Sequence, residues 1–217
     1  MSSKYFKISK KENQLIIAFS GPSTSGKSSL IKALLEKQLQ SKSDSIKLIQ
    51  MEKFFKRSYE SPKIKIGGYN ISNLDLKESI QWDNFYKEIS QNDSPILLID
   101  GFILFADERS YDIVDLCVSF EYNIDTDFEI ALDRRVHRYG MNEGIEIPKD
   151  YLEKASENRF NLHCAYFHQV VWQEMVKHPE YRLPQNWKKP LLVLSATNDF
   201  KDNVDKAFNF LQPYIFK

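Results

Sequence analysis

The chain has 217 residues, and its 30 lysine and arginine side chains balance 30 aspartates and glutamates, so its formal net charge is zero. Such a balance argues against a nucleic-acid binder, which carries an excess of positive charge. The sequence contains no apolar run long enough to cross a bilayer, and its N-terminal segment is too charged for a secretory signal. We therefore expect one cytoplasmic domain over residues 1–217 that binds a small molecule and contacts no membrane.

The first third of the chain predicts a βαβ unit. LIIAFS at residues 15–20 is a short apolar run that ends at a glycine, and leucines recur at helical spacing across residues 29–40. SIKLIQ at residues 45–50 then supplies a second short strand. A strand, a helix and a strand in this order indicate a parallel sheet.

A small insertion follows the second strand. PKIKIGGYNISN at residues 62–73 alternates isoleucine with polar residues on both sides of Gly67 and Gly68, a pair that tolerates the positive φ angles of a hairpin turn. We predict a β-hairpin here and a helix over residues 74–90.

The second half of the chain predicts the rest of an α/β domain. SPILLIDGF at residues 94–102 is the most apolar strand candidate and is expected near the centre of the sheet. The remaining predicted elements are a strand at 115–122, a helix at 125–140 capped by Asp125 or Thr126, a loop at 140–148, a helix from about 149 to about 177, a strand at 190–195 and a helix near 200–213. Together the elements predict a central, mostly parallel sheet of five strands with helices on both faces.

Residues 21–28 read GPSTSGKS and match the pattern G-x-x-x-x-G-K-[ST] at every fixed position. The two glycines let the backbone curl so that successive N–H groups converge on an anion, and the following helix adds its positive end. Lys27 would bridge the β- and γ-phosphates of a nucleoside triphosphate, and Ser28 would bind Mg²⁺. An exposed lysine in an ordinary glycine-rich turn is the alternative, and the flanking strand and helix argue against it. The predicted nucleotide contacts in this segment are Gly21, Ser23, Thr24, Ser25, Gly26, Lys27, Ser28 and Ser29.

Asp100 ends the apolar run ILLID at residues 96–100. A carboxylate at the end of a buried strand that follows a phosphate loop lies beside the phosphate-bound metal in this class of site. We therefore predict that Asp100 and Ser28 are the protein's metal ligands. A turn-forming role for Asp100 is the alternative.

The order of motifs along the chain resembles that of the nicotinamide riboside kinases, within the uridine-kinase-like nucleoside kinases. The motifs are GPSTSGKS, IQMEKFF at 49–55, QWD at 81–83, ILLIDGFILF at 96–105, DRRVHR at 133–138 and SATND at 195–199. The resemblance implies a three-layer P-loop kinase fold with an acceptor-binding insertion at about 52–90 and a small helical lid at about 125–150. It also implies transfer of the γ-phosphate of ATP to the 5′-hydroxyl of a ribonucleoside, first of all nicotinamide riboside, which gives nicotinamide mononucleotide.

The same resemblance implies which residues hold the acceptor. Glu52 stands where the family usually has an aspartate close to the attacking hydroxyl, so either Glu52 or Asp100 would receive the proton. Asp83 would accept hydrogen bonds from the ribose hydroxyls, with Trp82 and Phe55 beside the base. A surface position for Glu52, a helix N-cap for Asp83 and ordinary core packing for the aromatic residues are the structural alternatives.

The arginines of DRRVHR and the loop SATND complete the implied site. Helical spacing places Arg134 and Arg138 on one face, where they would stabilise the transferred phosphate, and Arg135 would contact the ribose. Ala196 and Thr197 would contact the adenine through their backbone. The alternatives are a solvated charged helix face for the arginines and a capped turn for SATND.

Other functions are compatible with the same motifs. The acceptor could be uridine, cytidine, a pantothenate-like alcohol or another small alcohol. A nucleotide-dependent binding module that hydrolyses ATP or GTP slowly is the alternative outside small-molecule kinases. The sequence lacks the N-K-x-D motif that specifies guanine, which argues against a GTPase switch.

Overall fold

A computed structural model describes residue 8 and residues 10–57, 60–138, 146–182 and 186–216 of the chain. The strands are β1 (Leu15–Ser20), β2 (Ile46–Gln50), β3 (Lys63–Ile66), β4 (Tyr69–Ser72), β5 (Ile96–Gly101), β6 (Leu116–Glu121) and β7 (Leu191–Ser195). Five of them form a parallel sheet in the order β2-β5-β1-β6-β7. The predicted five-stranded sheet is therefore confirmed.

Helices follow most of the strands. They are α1 (Lys27–Ala33), α2 (Trp82–Gln91), α3 (Arg109–Ile113), α4 (Phe128–Arg138), α5 (Arg159–Tyr166), α6 (Gln173–Lys177) and α7 (Phe200–Ile215). Wider π-helical turns extend α1 over Leu34–Gln38 and join α5 to α6 over Phe167–Trp172. Short 3₁₀ turns occupy Gln40–Ser45, Met51–Phe54, Lys77–Ser79, Leu104–Ala106 and Pro179–Tyr181. No helix in these described ranges is long and apolar enough to span a membrane.

The sheet separates two hydrophobic cores. Side chains alternate between the two faces of a strand, so Ile17 and Phe19 of β1 pack with α1, α4, α5 and α7. Ile16 and Ala18 point to the opposite face, where they pack with α2 and α3. Helices thus cover both faces, as the continuous apolar sequences of parallel strands require. The result is the predicted three-layer α/β arrangement.

The carboxyl ends of three neighbouring strands meet at one edge of the sheet. Every residue of β5 is buried, and β5 lies between β1 and β2. Asp100 at its end is in register with Phe19 of β1 and with Gln50 of β2. The segments that follow these strands therefore start side by side, which is where ligands bind in open parallel sheets.

The predicted hairpin at 62–73 is confirmed. Strands β3 and β4 pair antiparallel, and Gly67 and Gly68 connect them with φ angles of 53° and 85°. Such positive angles are readily adopted by glycine. The hairpin stands apart from the main sheet as a sheet of two strands.

Three helices begin later than the sequence predicts, two of them before residue 130 and the third after residue 149. The helix predicted from 74 begins at Trp82. The Asn73 side chain accepts a hydrogen bond from the Asp75 backbone at 3.1 Å and forms a turn, and a 3₁₀ turn at Lys77–Ser79 between extended residues follows it. The helix predicted at 125 begins at Phe128, so Asp127 precedes it rather than Asp125 or Thr126.

The helix predicted from about residue 149 begins instead at Arg159. Successive turns fill residues 149–157. Asn158 then has an extended backbone, and its side chain accepts from the Asn161 N–H at 2.8 Å, which is an N-cap. Most of the predicted loop at 140–148 and part of the predicted lid at 125–150 lie outside the described residues. The limits of the insertion and of the lid stay predictions.

Candidate functional site

The phosphate loop, residues 21–28, presses closely against β6. Gly21 has a φ angle of 132°, and a Cβ atom at this position would lie 2.6 Å from the carbonyl oxygen of Phe120. No side chain fits in that space. Gly26 has a φ angle of 102° and starts α1. Both fixed glycines of the motif are therefore required by local geometry.

Lys27 is buried at the start of α1, with 6% of its surface exposed. Its Nζ donates to the carbonyl oxygen of Pro22 at 2.8 Å, so the ammonium lies over the loop. Burial lowers the pKa of Lys27 to about 8, although the charges of Asp100 and Glu52 favour the protonated form. The ammonium is thus poorly solvated, and a bound anion would compensate it.

We predict that replacing Lys27 by methionine stabilises the nucleotide-free protein at neutral pH. Lys27 holds its proton up to about pH 8 when folded and up to 10.5 when unfolded, so between these values unfolding takes up a proton and stability rises with pH. The advantage of Lys27→Met should be on the order of 3 kcal/mol below pH 8 and should shrink toward zero by pH 10.5. Urea unfolding of both proteins across this range measures it, and a constant difference would contradict the prediction.

Ser28 and Asp100 face each other at the sheet edge. The Ser28 hydroxyl donates to Oδ2 of Asp100 at 2.6 Å, and Asp100 is 8% exposed. Both groups offer hard oxygen atoms of the kind that Mg²⁺ binds, and one carboxylate is the usual protein share when substrate phosphates supply further ligands. The pair therefore fits the predicted metal site. Within the described ranges, no cluster of three or more histidine, cysteine, aspartate or glutamate residues could hold a metal without such help.

A cavity of about 480 Å³, which we name the loop cavity, opens above the phosphate loop. Most of the residues predicted to contact ATP or its transferred phosphate line it, namely Thr24, Ser25, Gly26, Lys27, Ser28, Ser29, Arg134, Arg138 and Ala196. Arg134 donates to the carbonyl oxygen of Ala196 at 2.7 Å, which ties α4 to the end of β7. Thr197 instead contacts the hydroxyl of Ser195 at 3.0 Å and does not line the cavity. The loop cavity is also lined by Asn198, Phe200 and Asn203, which were not among the predicted site residues.

A second cavity of about 730 Å³ lies beside the hairpin, and we name it the hairpin cavity. Ser23, Glu52, Phe55 and Arg135 line it, as does much of the hairpin. The phosphate loop separates the two cavities, because Ser23 faces the hairpin cavity and Thr24 faces the loop cavity. An acceptor in the hairpin cavity would therefore lie directly beside a phosphate chain in the loop cavity.

Two arginines of α4 connect the cavities. Arg138 lines the loop cavity and lies 3.5 Å from both carboxylate oxygens of Glu52, which lines the hairpin cavity. Arg135 lines the hairpin cavity and donates to the Ser23 hydroxyl at 2.8 Å. Helix α4 thus places one guanidinium on each side of the phosphate loop.

The structure does not bring Trp82 and Asp83 to either cavity. The Asp83 side chain is 56% exposed, and its Oδ1 accepts from Arg109 at 2.6 Å. Trp82 donates from its indole to the carbonyl oxygen of Lys77 and stacks on Tyr86. Both residues therefore stabilise the start of α2 and its contact with α3. The ribose contacts predicted for them have no support in this geometry.

A different carboxylate, that of Asp75, lines the hairpin cavity. Asp75 is 7% exposed, and its Oδ2 accepts from the Tyr166 hydroxyl at 3.3 Å. Burial raises the pKa of Asp75, and the positive charges of Arg135 and Arg182 act in the opposite direction. Asp75 was not among the predicted site residues, although its position between two leucines in NLDL indicates burial.

Comparison with known proteins shows the fold. A protein described as a fructose transport system kinase, from Silicibacter sp. TM1040, superposes with a TM-score of 0.55 at 13% identity over 85% of this chain and 91% of its own. A gluconokinase from Sinorhizobium meliloti 1021 gives 0.52 at 12% identity over 95% and 96%. The predicted P-loop kinase fold is therefore confirmed. No protein-family profile and no curated protein sequence matches the chain.

Proposed function

We propose that this protein transfers the γ-phosphate of ATP to a hydroxyl group of a small acceptor. The observation that carries the proposal is the pair of cavities that meet at the phosphate loop, one beside Lys27 and Ser28 and the other beside Glu52. A single nucleotide cavity would suffice for hydrolysis. A second one of this size at the same loop fits an acceptor molecule.

The loop cavity has the groups that a triphosphate requires. Backbone N–H groups of the phosphate loop and the ammonium of Lys27 would bind its phosphates, and Arg134 and Arg138 would face them from α4. Mg²⁺, when bound with the nucleotide at Ser28 and Asp100, supplies positive charge that neutralises the phosphate oxygens. Phe200 offers an aromatic surface at the same cavity, where the adenine would lie.

On the acceptor side, Glu52 is the better placed of the two candidate bases. It lines the hairpin cavity and lies against Arg138, so its carboxylate is at the border between the two cavities. The Asp100 carboxylate accepts from Ser28 and suits the metal. A hydroxyl bound at Glu52 would donate its proton there while its oxygen attacks the phosphorus, so that the oxygen–phosphorus bond to ADP breaks as the new bond forms.

Asp75 and Arg135 would hold the remaining hydroxyl groups of the acceptor. A carboxylate accepts hydrogen bonds from two neighbouring hydroxyls, and a guanidinium donates to hydroxyl oxygens. Sequence resemblance favours the 5′-hydroxyl of a ribonucleoside, nicotinamide riboside above all, as the attacking group. Uridine, cytidine and other small alcohols present the same chemistry.

An acceptor panel tests the proposal. ADP release would be followed with ATP and Mg²⁺ in the presence of nicotinamide riboside, uridine, cytidine, pantothenate or gluconate, with an acceptor-free reaction as the control. We expect at least one acceptor to accelerate ADP release and to yield a phosphorylated product by mass spectrometry. Slow hydrolysis that no acceptor changes would refute the kinase proposal and favour a nucleotide-dependent binding module.

We predict that Asp75→Asn raises the KM of the acceptor about tenfold or more while the KM of ATP is unchanged. The reason is that a carboxamide replaces one of the buried acceptor oxygens with a donor. Asp83→Asn is the matched control, because it makes the same change at a carboxylate that faces Arg109 outside both cavities. A larger KM effect at Asp83 than at Asp75 would restore the original assignment.

A further inference from the structure

Cationic side chains reach the hairpin cavity from three separate segments. Lys56 follows the 3₁₀ turn after β2, Lys63 begins β3, and Arg159 begins α5. These segments are separated in sequence, and the fold brings all three side chains to the lining of the same cavity. Arg135 adds a fourth cation to the lining, and it is half-buried.

The two carboxylates that line the same cavity already interact with other side chains of the protein. Glu52 lies 3.5 Å from Arg138, and Asp75 is surrounded by Tyr166, Arg135 and Arg182. Neither Lys56 nor Arg159 forms an ion pair with a carboxylate in the part of the chain that the structure describes. The lining of the hairpin cavity therefore carries more cationic than anionic side chains.

The position of Arg159 is not explained by the stability of its helix. It is the first residue of α5, where the helix dipole favours an acidic residue, and the first turn contains none. The pKa of His163, which lies one turn further along α5, is lowered by burial and partly by these positive charges. Burial lowers its pKa to about 4, and the charges of Arg135 and Arg159 contribute, so its ring is neutral at neutral pH.

We infer that the acceptor carries an anionic group, a carboxylate or a phosphate ester, that binds Lys56, Lys63 and Arg159 while its reacting hydroxyl lies at Glu52. The inference rests on the proposed function and specifies its substrate class. Lys56 is half-buried, whereas Lys63 and Arg159 are exposed at the cavity. Cationic side chains grouped in this way attract an anion and repel a cation. The sequence resemblance favours nicotinamide riboside, but its ring is positively charged, so the cationic lining instead predicts that its carboxylate counterpart, nicotinate riboside, is the better acceptor of the two.

Acceptors that differ mainly in charge test the inference. The carboxylate pairs are gluconate with sorbitol, pantothenate with pantothenol, and nicotinate riboside with nicotinamide riboside. Ribulose 5-phosphate with ribulose tests the phosphate ester. Binding is measured by titration calorimetry without ATP, and kcat/KM by ADP release, so that affinity is known even where no transfer occurs. We expect the anionic member of at least one pair to bind at least about tenfold more tightly than its partner.

Charge variants identify the responsible residues. Lys56→Gln and Arg159→Gln should each weaken binding of the preferred anion about tenfold, raise its KM, and leave the affinity of its uncharged or cationic partner within about twofold. Arg159→Lys should retain most of the affinity, because it keeps the charge. Lys65→Gln is the matched control, since Lys65 is exposed on β3 and does not line the cavity.

The outcomes separate the inference from the proposed function. Tighter binding of the anion that is lost in the Lys56 and Arg159 variants supports the inference, whether or not the anion is phosphorylated. Equal affinity within every pair, binding of no anionic member, or equal effects of the variants on both members overturns it. Absence of phosphoryl transfer to every acceptor refutes the proposed function alone.

Discussion

Replacement of Lys27 by alanine is expected to lower the rate of phosphoryl transfer by about a thousandfold. The ammonium of Lys27 is buried at the loop, where few water molecules screen it, so its charge acts strongly on phosphate oxygens. Alanine leaves the backbone N–H groups of the loop in place, so the nucleotide should still bind, although more weakly. The loss should therefore appear mainly in kcat with the best acceptor of the panel.

Lys32→Ala is the matched control for this prediction. Lys32 lies on the same helix but is largely exposed, and it pairs with Glu36 at 3.8 Å on the outer surface. Its removal should change kcat less than about twofold, because exposed pairs of this kind contribute little. Circular dichroism of both variants should show an unchanged fold. If the Lys27→Ala protein kept a tenth or more of its activity, Lys27 would have no place in the mechanism. A tenfold loss is only about the effect of one lost hydrogen bond.

Most of the fold was predictable because its signals are local. The five strands of the main sheet are short apolar runs, several of them bounded by glycine or proline, and each was found at its position. Helix starts were less predictable, because a single side chain can override periodicity. The helix after the turn at Asn73 starts about two turns later than the periodic pattern predicts, and the helix capped by Asn158 starts about three turns later. Neither feature changes the apolar spacing that the prediction used.

The phosphate loop and the hairpin cavity also differ in how far local sequence predicts them. The phosphate loop is one continuous stretch, so the sequence predicted its composition together with the strand and helix beside it. The hairpin cavity combines residues from the phosphate loop, the hairpin, α4 and α5, and their meeting depends on tertiary packing. Asp75 and Asp83 show why the sequence could not identify the carboxylate that lines the hairpin cavity. Both precede or begin the same helix, and only the fold reveals that Arg109 pairs with Asp83.

The contact between Glu52 and Arg138 gives a structural reason for a glutamate at position 52, where the family usually has an aspartate. A glutamate side chain reaches further than the aspartate usual in the nucleoside kinases that the sequence resembles, and here it meets Arg138 of α4. The contact is an exposed pair at 3.5 Å, and it brings the carboxylate to the border of the two cavities, next to the helix that supplies Arg134 and Arg138. Movement of α4 would therefore shift the candidate base and the phosphate-facing arginines together.

The Glu52→Gln substitution is expected to lower kcat by about a hundredfold or more, because an uncharged carboxamide cannot take up the proton of the attacking hydroxyl. Glu52→Asp is the matched control, since it keeps the carboxylate and should retain far more activity than Gln. Asp100→Asn should behave differently, because Asp100 contacts Ser28 at the predicted metal site, and its loss should raise the Mg²⁺ concentration required for half-maximal rate. Initial rates at varied Mg²⁺ and acceptor concentrations separate the two roles. If Glu52→Gln changed only the Mg²⁺ requirement while Asp100→Asn abolished turnover at saturating Mg²⁺, the proton would pass to Asp100 instead.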